Sequence, residues 1–577
     1  RWMNPEKIIA AVEAGELDEA VVDDKVRRLL RTLERVGLME TPLPSQVVPD
    51  PDLPRTVAAE AIVLLKNEDN LLPITADKPQ TIAVIGENAH WAQIMGGGSS
   101  QVNPHRAVSP LTGIQERAGE QATIAYEIGT LVHRMPQLLD VTWLKATDGS
   151  PGLTLSYYPN RELAGDASHT HVCHKSEVSW FGTVNPFVDL NNFSVRLEGT
   201  LTAPTAGTHQ LHLWSIGRAR LLVDGNVVIN HMEGEEVDRH AIVPIDLTPD
   251  KPVSILVEYI TDPSSAWRTL RLGCIPPIAD DPIQAAVDAA AKADVAVIVA
   301  GLMREWESEG FDRVDMKLAG RQDELISRVA AVNPNTVVVL NAGSPVEMPW
   351  IDEVTAVLQQ WYGGQDAGHA LADVLFGDVN PSAKLPTTFP VRLEDNPAYI
   401  NYPGENGQVH YGEGIFVGYR YYDKKAIAPL FPFGHGLSYT TFAYSNLQLN
   451  GETFSGEDQV VVSVDVTNTG DRAGQEVVQL YVHDEESRVV RPAQELKAFA
   501  KVALAAGETK TVTLALNRQS LAFYETAVSD WSVESGKFSV FVGSSSRDIR
   551  LQGAFAWTGE AESAPPSGPH QFSTVAT

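Results

Sequence analysis

Residues 295–313 read VAVIVAGLMREWESEGFDR. This stretch contains an apolar run, which indicates a buried strand, followed by an acidic loop. The apolar run Val295–Gly301 has the composition of a strand buried on both faces of a parallel sheet. An acidic loop follows directly, with glutamates at alternate positions: Glu305, Glu307 and Glu309. Because buried carboxylates cost free energy unless they are paired or used, such a loop at a strand end indicates a functional site.

Similar apolar runs flank this strand along the chain. They are Ile82–Ile85, Val337–Leu340 and Ala356–Leu358, and a helical pattern around Leu325–Val332 separates the later ones. This strand–helix alternation predicts a doubly wound α/β layer. Each run is followed by a glycine-rich polar loop, at 86–91, 301–313, 341–344 and 361–366. Since ligands bind at the carboxyl ends of such strands, we expect the four loops to form one edge of a site.

The length and composition restrict the class of protein. With 577 residues, 43% apolar and 20% charged, the chain predicts about three or four globular domains. The formal net charge of −30 argues against nucleic acid and anionic membranes as partners, and no apolar run approaches the length of a bilayer span. Cys173 and Cys274 are expected to be unrelated thiols. The histidines lack metal-ligand spacing, so neither a metal nor another cofactor is predicted.

Two further segments have β character. Residues 136–277 alternate and turn like an all-β unit, for example at 219–223, the Asp224–Asn226 turn and 227–229. We predict that this unit is a β-sandwich inserted into the α/β layer. Short strands with regular turns predict a second sandwich over 440–557.

At the amino end, the spacing of apolar residues predicts a helix that Gly37 closes. The residues on its apolar face are Val22, Val26, Leu29, Leu30 and Leu33.

Several motifs occur in the order seen in family-3 glycoside hydrolases. They are Ile62–Asn67 with Leu72-Pro73, Gly96–Ser99, Glu309–Arg313, Phe389-Pro390, Pro432–Phe442 and Arg491–Lys497. The chain resembles the β-glucosidase branch of that family, in which an inserted sandwich is similar to the carbohydrate-binding PA-14 domain. Gly152–Tyr158, Gly207–Leu211 and Arg220–Gly225 are the residues that resemble PA-14. The domain at 440–557 resembles fibronectin type III.

The resemblance implies a multidomain architecture with these boundaries: the last helix of a truncated (β/α)8 barrel at 1–40, a linker at 41–54, an α/β sandwich at 55–135 and 278–395, the PA-14-like insert at 136–277, a connecting segment at 396–439, the fibronectin-III-like domain at 440–557 and a disordered tail at 558–577. The barrel of such enzymes supplies the nucleophilic aspartate. We therefore expect the nucleophile and the barrel's sugar contacts to lie outside this chain, with the missing barrel as a partner. A homo-oligomer is also expected. The cellular compartment stays open.

The resemblance also implies roles for residues of the acidic loop. Glu309 corresponds to the catalytic acid/base, while Glu305 and Glu307 are competing acids on chemistry alone. Asp312 is expected to hold the loop and Arg313 to orient a carboxylate within it. Trp306 and Phe311 offer apolar surroundings that would help Glu309 keep its proton. Possible sugar contacts are Trp306, Phe311 and Trp91.

These features predict a retaining exo-β-glucosidase that removes terminal non-reducing β-D-glucosyl residues from short oligosaccharides or aryl glucosides. A β-xylosidase or other β-glycosidase is the alternative within the class. A non-catalytic carbohydrate-binding fragment is the alternative from another class, because one carboxylate cannot perform a double displacement. A nucleotide-binding protein is disfavoured. The Gly96–Ser99 turn lacks the lysine of a phosphate loop and is expected to be a tight turn with close backbone packing.

Overall fold

The computed structural model describes residues 5–39, 50–74, 80–134, 137–181, 187–234, 236–265 and 267–559. The predicted linker at 41–54 and tail at 558–577 fall largely outside these residues. The chain divides into two compact units, residues 1–53 and 54–577. In the described part of the chain, no helix is long and apolar enough to cross a membrane.

Residues 5–39 of the first unit form two helices, where the sequence predicted only one. They are α1 (Pro5–Glu13) and α2 (Glu19–Arg35). The Asp18 side chain caps α2 by accepting a hydrogen bond from the Ala20 amide, which separates the two helices. Gly37, with φ of +75°, follows the end of α2, as the helix-closing role predicted.

The first half of the α/β layer follows. Its elements are α3 (Leu53–Ala61), β1 (Val63–Asn67), β2 (Gln80–Ile85), α4 (Glu87–His90), α5 (Pro110–Ala118) and β3 (Ala122–Glu127), with short 3-10 turns at Glu68–Asn70, Gly98–Ser100 and Gly119–Gln121. Ser109 caps α5 through its side chain, and Pro110 occupies the first turn, where no amide donor is needed.

An all-β unit interrupts the α/β layer after β3. Its strands are β4 (Leu144–Lys145), β5 (Leu153–Tyr158), β6 (His169–Cys173), β7 (Glu177–Phe181), β8 (Ser194–Leu201), β9 (Gly207–Ile216), β10 (Arg218–Val223), β11 (Asn226–Asn230), β12 (Asp238–Leu247), β13 (Val253–Ile260) and β14 (Trp267–Ile275), and a 3-10 turn spans Val141–Trp143. One sheet has the order β11-β10-β13-β8-β5-β6, with β4 beside β8, and the other has the order β12-β9-β14-β7. The two sheets enclose one apolar core that includes Phe193, Tyr259 and Leu270. We refer to residues 144–275 as the inserted sandwich.

The second half of the α/β layer completes a single sheet with the first. Its elements are α6 (Pro282–Ala290), β15 (Val295–Gly301), α7 (Gln322–Ala330), β16 (Thr336–Asn341), β17 (Ala356–Gln359) and α8 (Ala367–Leu375), with a 3-10 turn at Gly364–Asp366. The sheet order is β1-β17-β16-β15-β2-β3, with β1 antiparallel to β17 and the other pairs parallel. Apolar clusters on both faces explain why β15 and β16 are buried along their whole length. The predicted α/β layer is confirmed.

A second all-β domain follows the α/β layer. A 3-10 turn at Leu393–Asp395 precedes the connecting segment, which carries α9 (Tyr419–Lys425). The domain itself contains β18 (Phe442–Leu449), β19 (Thr453–Ser455), β20 (Val460–Asn468), β21 (Gly474–Asp484), β22 (Glu495–Leu504), β23 (Thr509–Leu516), α10 (Arg518–Leu521), β24 (Phe523–Glu525), β25 (Asp530–Ser532), β26 (Gly536–Gly543) and β27 (Ile549–Thr558). A three-stranded sheet, β18-β20-β23, and a five-stranded sheet, β19-β27-β26-β21-β22, share one apolar core. The second sandwich predicted from the sequence is therefore present.

Candidate active site

The four loops after the parallel strands meet at one edge of the sheet. The Asn341 side chain, at the end of β16, donates hydrogen bonds to the carbonyl oxygens of Trp361 at 2.6 Å and Gln93 at 3.1 Å, and accepts one from Asn88 at 3.3 Å. Because β2, β15, β16 and β17 run parallel, their carboxyl ends coincide. The prediction of a shared loop edge is confirmed.

Glu307 is the structural centre of the acidic loop. It is largely buried, and its carboxylate accepts hydrogen bonds from the Gly343 amide at 2.6 Å and from the hydroxyls of Tyr362 and Ser344. Burial and the nearby Glu307 charge raise the pKa of Tyr362, so its phenol stays a donor. Arg313 lies 3.4 Å from Glu307 and donates to the Ser344 hydroxyl at 2.8 Å. Arg313 therefore contacts a loop carboxylate, that of Glu307, and its orienting role stays a prediction.

Glu305 joins the loop to the inserted sandwich. Its carboxylate lies 2.9 Å from the Arg271 guanidinium of β14 and accepts a hydrogen bond from the Arg134 amide at 2.9 Å. Arg271 is almost fully buried and also lies 3.6 Å from Glu177, which in turn pairs with Arg304 at 3.4 Å. These partners give Glu305 a structural role, so it is not a free acid.

Glu309 differs from both other glutamates because its side chain is exposed to solvent. One carboxylate oxygen, Oε2, accepts a hydrogen bond from the Ser99 amide at 2.7 Å. The turn that contains Ser99 runs against the loop, with the Gly97 amide donating to the Glu307 carbonyl at 2.8 Å. This is the close backbone packing that the glycine run predicted. The glycine turn thus fixes Glu309 from one side and leaves the other side open.

The electrostatic surroundings of Glu309 are not those expected from the sequence. The Ser99 hydrogen bonds stabilise the carboxylate and lower the pKa of Glu309 below its ordinary value. We expected Trp306 and Phe311 to surround this group with apolar surface and raise the pKa, and in this chain that expectation is wrong. The physical reason is exposure: the carboxylate faces solvent, where desolvation is too weak to offset the hydrogen bond.

The aromatic residues of the loop pack around an arginine. The Arg134 guanidinium lies 4.3 Å from the ring centre of Trp306 and 5.1 Å from that of Phe311. Trp306 is half-buried and donates from Nε1 to the Val132 carbonyl at 2.5 Å, whereas Phe311 is 42% exposed. Phe311 therefore retains a free apolar surface beside Glu309.

The two remaining site predictions lie in different places. The Asp312 carboxylate accepts a hydrogen bond from the Tyr402 hydroxyl of the connecting segment, and its loop-holding role stays a prediction. Trp91 lines a cavity at the base of the inserted sandwich and packs edge-to-face on His90 at 4.9 Å. In the described residues, no cluster of histidine, cysteine, aspartate or glutamate has an arrangement that could hold a metal ion.

Sequence reasoning missed several residues that build this site. Ser99, Tyr362 and Ser344 donate to the loop carboxylates, and Arg271 and Arg134 reach the loop from the inserted sandwich and its connection. The one sequence signal for Tyr362 is its position in the glycine-rich loop at 361–366. The other contacts link positions far apart in the chain and leave no local pattern.

A family of glycoside hydrolases accounts for this combination of an α/β layer, an acid-bearing loop and a terminal sandwich. The chain belongs to glycosyl hydrolase family 3. Residues 62–439 match the family's C-terminal domain and residues 476–546 match a fibronectin type III-like domain. The predicted membership of the family and the fibronectin-III-like domain are thereby confirmed.

Three relatives illustrate the similarity. A beta-glucosidase from Rhizobium radiobacter is 41% identical, with 94% of this chain and 68% of that protein covered. A probable beta-glucosidase I from Aspergillus terreus is 38% identical, with coverages of 96% and 69%. The crystal structure of a beta-glucosidase from Kluyveromyces marxianus in complex with glucose is 36% identical, has a TM-score of 0.86 and covers 97% of this chain and 69% of that one.

Proposed function

We propose that this chain provides the acid/base half of a retaining exo-β-glucosidase, with Glu309 as the acid/base. The observation that carries the proposal is the difference among the three glutamates: Glu305 and Glu307 are partly buried and paired, whereas Glu309 is exposed and anchored through one oxygen. An anchored carboxyl group with a free face suits proton transfer to a bound substrate. The names of the relatives support β-glucosides as the substrate class.

The nucleophile is proposed to come from a (β/α)8 barrel outside these residues. The other loop carboxylates already have partners: Glu305 binds Arg271, Glu307 binds Tyr362 and the loop after β16, and Asp312 binds Tyr402. Retaining hydrolysis requires a second carboxylate about 5–5.5 Å from the acid. A barrel aspartate at that distance would also raise the pKa of Glu309 by like-charge repulsion, opposing the effect of Ser99.

The proposed reaction has two steps. The nucleophile attacks the anomeric carbon while Glu309 donates its proton to the departing glycosidic oxygen, which leaves as an alcohol. The Glu309 carboxylate then takes a proton from water, whose oxygen displaces the nucleophile and releases β-glucose. Phe311 is proposed to contact the leaving group through its exposed ring. The inserted sandwich is proposed to be PA-14-like and to restrict the pocket to short substrates, while homo-oligomerisation stays a prediction.

The first test compares glucose release from 4-nitrophenyl β-D-glucoside by the 577-residue chain alone and by the chain joined to a family-3 barrel. Activity only in the joined protein supports a nucleophile outside these residues, and activity of the chain alone contradicts it. A parallel assay with the β-xyloside separates glucosidase from xylosidase specificity. Sugar binding without hydrolysis in both forms would favour a non-catalytic carbohydrate-binding role.

The second test addresses Glu309 in the joined protein. Glu309→Ala should reduce hydrolysis of unactivated glucosides about 10²–10⁴-fold and that of dinitrophenyl glucosides much less, because good leaving groups need no protonation. Azide should restore turnover and yield β-glucosyl azide. Asp315→Ala is the matched control, since Asp315 is an exposed carboxylate close by that accepts a hydrogen bond from the Lys317 amide. Unchanged hydrolysis in Glu309→Ala would refute the assignment.

A further inference from the structure

A cavity of about 380 Å³ lies where the inserted sandwich joins the α/β layer. The two segments that connect the inserted sandwich to the α/β layer both line this cavity. The segment before the sandwich contributes Gln137 and Asp140, and the segment after it contributes Pro276 and Pro277. Residues of the acidic loop at 302–313 do not line it. The volume falls within the range of small-molecule sites, about 300–1,000 Å³. The cavity is therefore separate from the loop that carries Glu309.

The apolar part of the wall consists of aromatic rings from both layers. Trp91 of the α/β layer and Trp143 of the outgoing connection lie 6.5 Å apart at 63°, and Tyr126 lies 5.6 Å from His90. Indole faces set at an angle, together with the prolines that line the cavity, offer broad apolar surfaces. The C–H faces of a pyranose ring are apolar and pack well on such surfaces.

The polar part of the wall matches hydroxyl groups. Glu127 ends β3 beside the cavity, and among the described residues none donates a hydrogen bond to its carboxylate. The Asp140 Oδ1 atom accepts from the amide and hydroxyl of Thr142 at 2.8 and 2.7 Å, which leaves Oδ2 available. The Thr205 hydroxyl adds a group that both donates and accepts. Carboxylates can accept hydrogen bonds from sugar hydroxyls, and a hydroxyl side chain can donate one to a sugar oxygen.

We propose that this cavity is an accessory binding site for a monosaccharide. A hexopyranose fits the combination of ring platforms, carboxylate acceptors and a hydroxyl donor. A small organic cation would use the carboxylates and rings but would make no use of the Thr205 hydroxyl. The choice of D-glucose as the sugar rests on the proposed function, in which D-glucose is the product.

The cavity wall is connected to the acid/base loop by short hydrogen-bond paths. Glu87, which lines the cavity, accepts from the Val132 amide at 2.6 Å, and the Val132 carbonyl accepts from Trp306. The Gln137 side chain donates to the Met303 sulfur at 2.8 Å, just beyond the end of β15. A sugar bound between the two layers therefore restrains the insert relative to the loop that holds Glu309. We expect occupancy to alter turnover in the barrel-joined enzyme.

The test is titration of the whole 577-residue chain with D-glucose, followed by calorimetry and by saturation-transfer NMR. Glu127→Gln should weaken binding about tenfold by removing a charged acceptor. Ile278→Trp should block binding by filling the cavity, since Ile278 lines it and is partly exposed, so the fold tolerates a larger side chain. Glu120→Gln is the control, because Glu120 is an exposed acid just before β3 that does not line the cavity.

The outcomes separate this site from the catalytic one. Saturable binding that both cavity variants weaken, and that Glu120→Gln and Glu309→Gln leave intact, supports the proposal. Absence of glucose binding to the folded chain overturns it, as does binding that Glu309→Gln abolishes and the cavity variants do not. Tetramethylammonium binding in place of glucose would reassign the cavity to a cation. Because binding is measured without hydrolysis, failure of the proposed function would not alter this result.

Discussion

The amide of Ser99 donates a hydrogen bond to Glu309 across 210 residues of chain, at 2.7 Å. This bond connects the glycine turn after α4 with the loop after β15, and the Ser99 hydroxyl also stabilises the Glu309 carboxylate. It also sets the ionisation of Glu309 by favouring the charged form. The position and the acidity of Glu309 therefore depend on the geometry of the neighbouring turn.

Gly98→Ala should displace Glu309. Gly98 has φ of +74°, and an added Cβ would lie 2.7 Å from the Glu309 Cβ atom. Loss of the Ser99 bond should raise the pKa of Glu309 toward its ordinary value, as read by NMR titration of labelled glutamate carboxyls. Gly225→Ala is the matched control, with φ of +78° but open space around the added atom. An unchanged Glu309 titration in Gly98→Ala would contradict the proposed anchoring role.

Glu307→Ala should loosen the loops on both sides of β16. The substitution leaves the Gly343 amide and the Tyr362 hydroxyl without their acceptor, at a cost of about 1–3 kcal/mol in the free energy of local opening. Hydrogen exchange at the Gly343 amide measures this opening directly.

Glu324→Ala provides the comparison for that variant. Glu324 pairs with Arg321 and Arg328 on the surface, where solvent screens the attraction and such pairs contribute little to stability. Exchange at Gly343 should be unaffected by this control. Equal exchange rates in Glu307→Ala and the parent chain would show that Glu307 does not hold the loop.

Arg271→Met should uncouple the inserted sandwich from the acidic loop. The Arg271 side chain is only 3% exposed and pairs with both Glu305 and Glu177. Removing one partner of a buried ion pair costs about 3–5 kcal/mol. The Arg134 amide, which donates to Glu305, should then exchange faster with solvent.

Two further variants refine the Arg271 result. Arg271→Lys keeps the positive charge but lacks the planar guanidinium group. It should therefore restore only part of the protection of the Arg134 amide against hydrogen exchange. Arg220→Met should leave that amide unchanged, because Arg220 pairs with Glu258 elsewhere in the sandwich and Glu258 keeps Arg196. If the Arg134 amide in Arg271→Met exchanged as slowly as in the parent chain, the inserted sandwich would not restrain the acidic loop.

The sequence predicted the parts of the structure that local patterns determine. The apolar run Val295–Gly301 forms β15, and the Asp224-Gly225 turn joins β10 to β11 with both residues at positive φ. Periodicity and turn chemistry act over a few residues, so they can be read directly from the chain. The meeting of four loops also followed from sequence, because parallel strands align their ends.

The surroundings of Glu309 could not be predicted in the same way. Ser99 lies 210 residues from Glu309 in the chain, so no local sequence pattern links the donor to the carboxylate. Arg271 reaches Glu305 only because the inserted sandwich returns to the α/β layer at β14. Exposure and long-range pairing depend on the tertiary fold, and they determine whether a carboxylate is a structural anchor or a free acid.

Acid should destabilise the inserted sandwich through His212. This residue of β9 is buried, with 1% exposure, and its Nδ1 atom has no hydrogen-bond partner among the described residues. Burial, with a smaller contribution from the Arg271 charge, lowers the pKa of His212 from 6.5 to about 4. The unfolded chain therefore binds this proton more readily than the folded one.

The sign and size of the effect follow from that difference. Stability should fall as the pH drops from about 6.5 to about 4, and His212 should contribute about 2 kcal/mol of loss between pH 7 and about pH 5. Urea unfolding followed by tryptophan fluorescence at both pH values measures the loss. His212→Gln should reduce the pH slope even where it lowers stability at both pH values, while His410→Gln, at an exposed position, should keep the parent slope. Identical slopes in His212→Gln and the parent chain would assign the acid sensitivity to other groups.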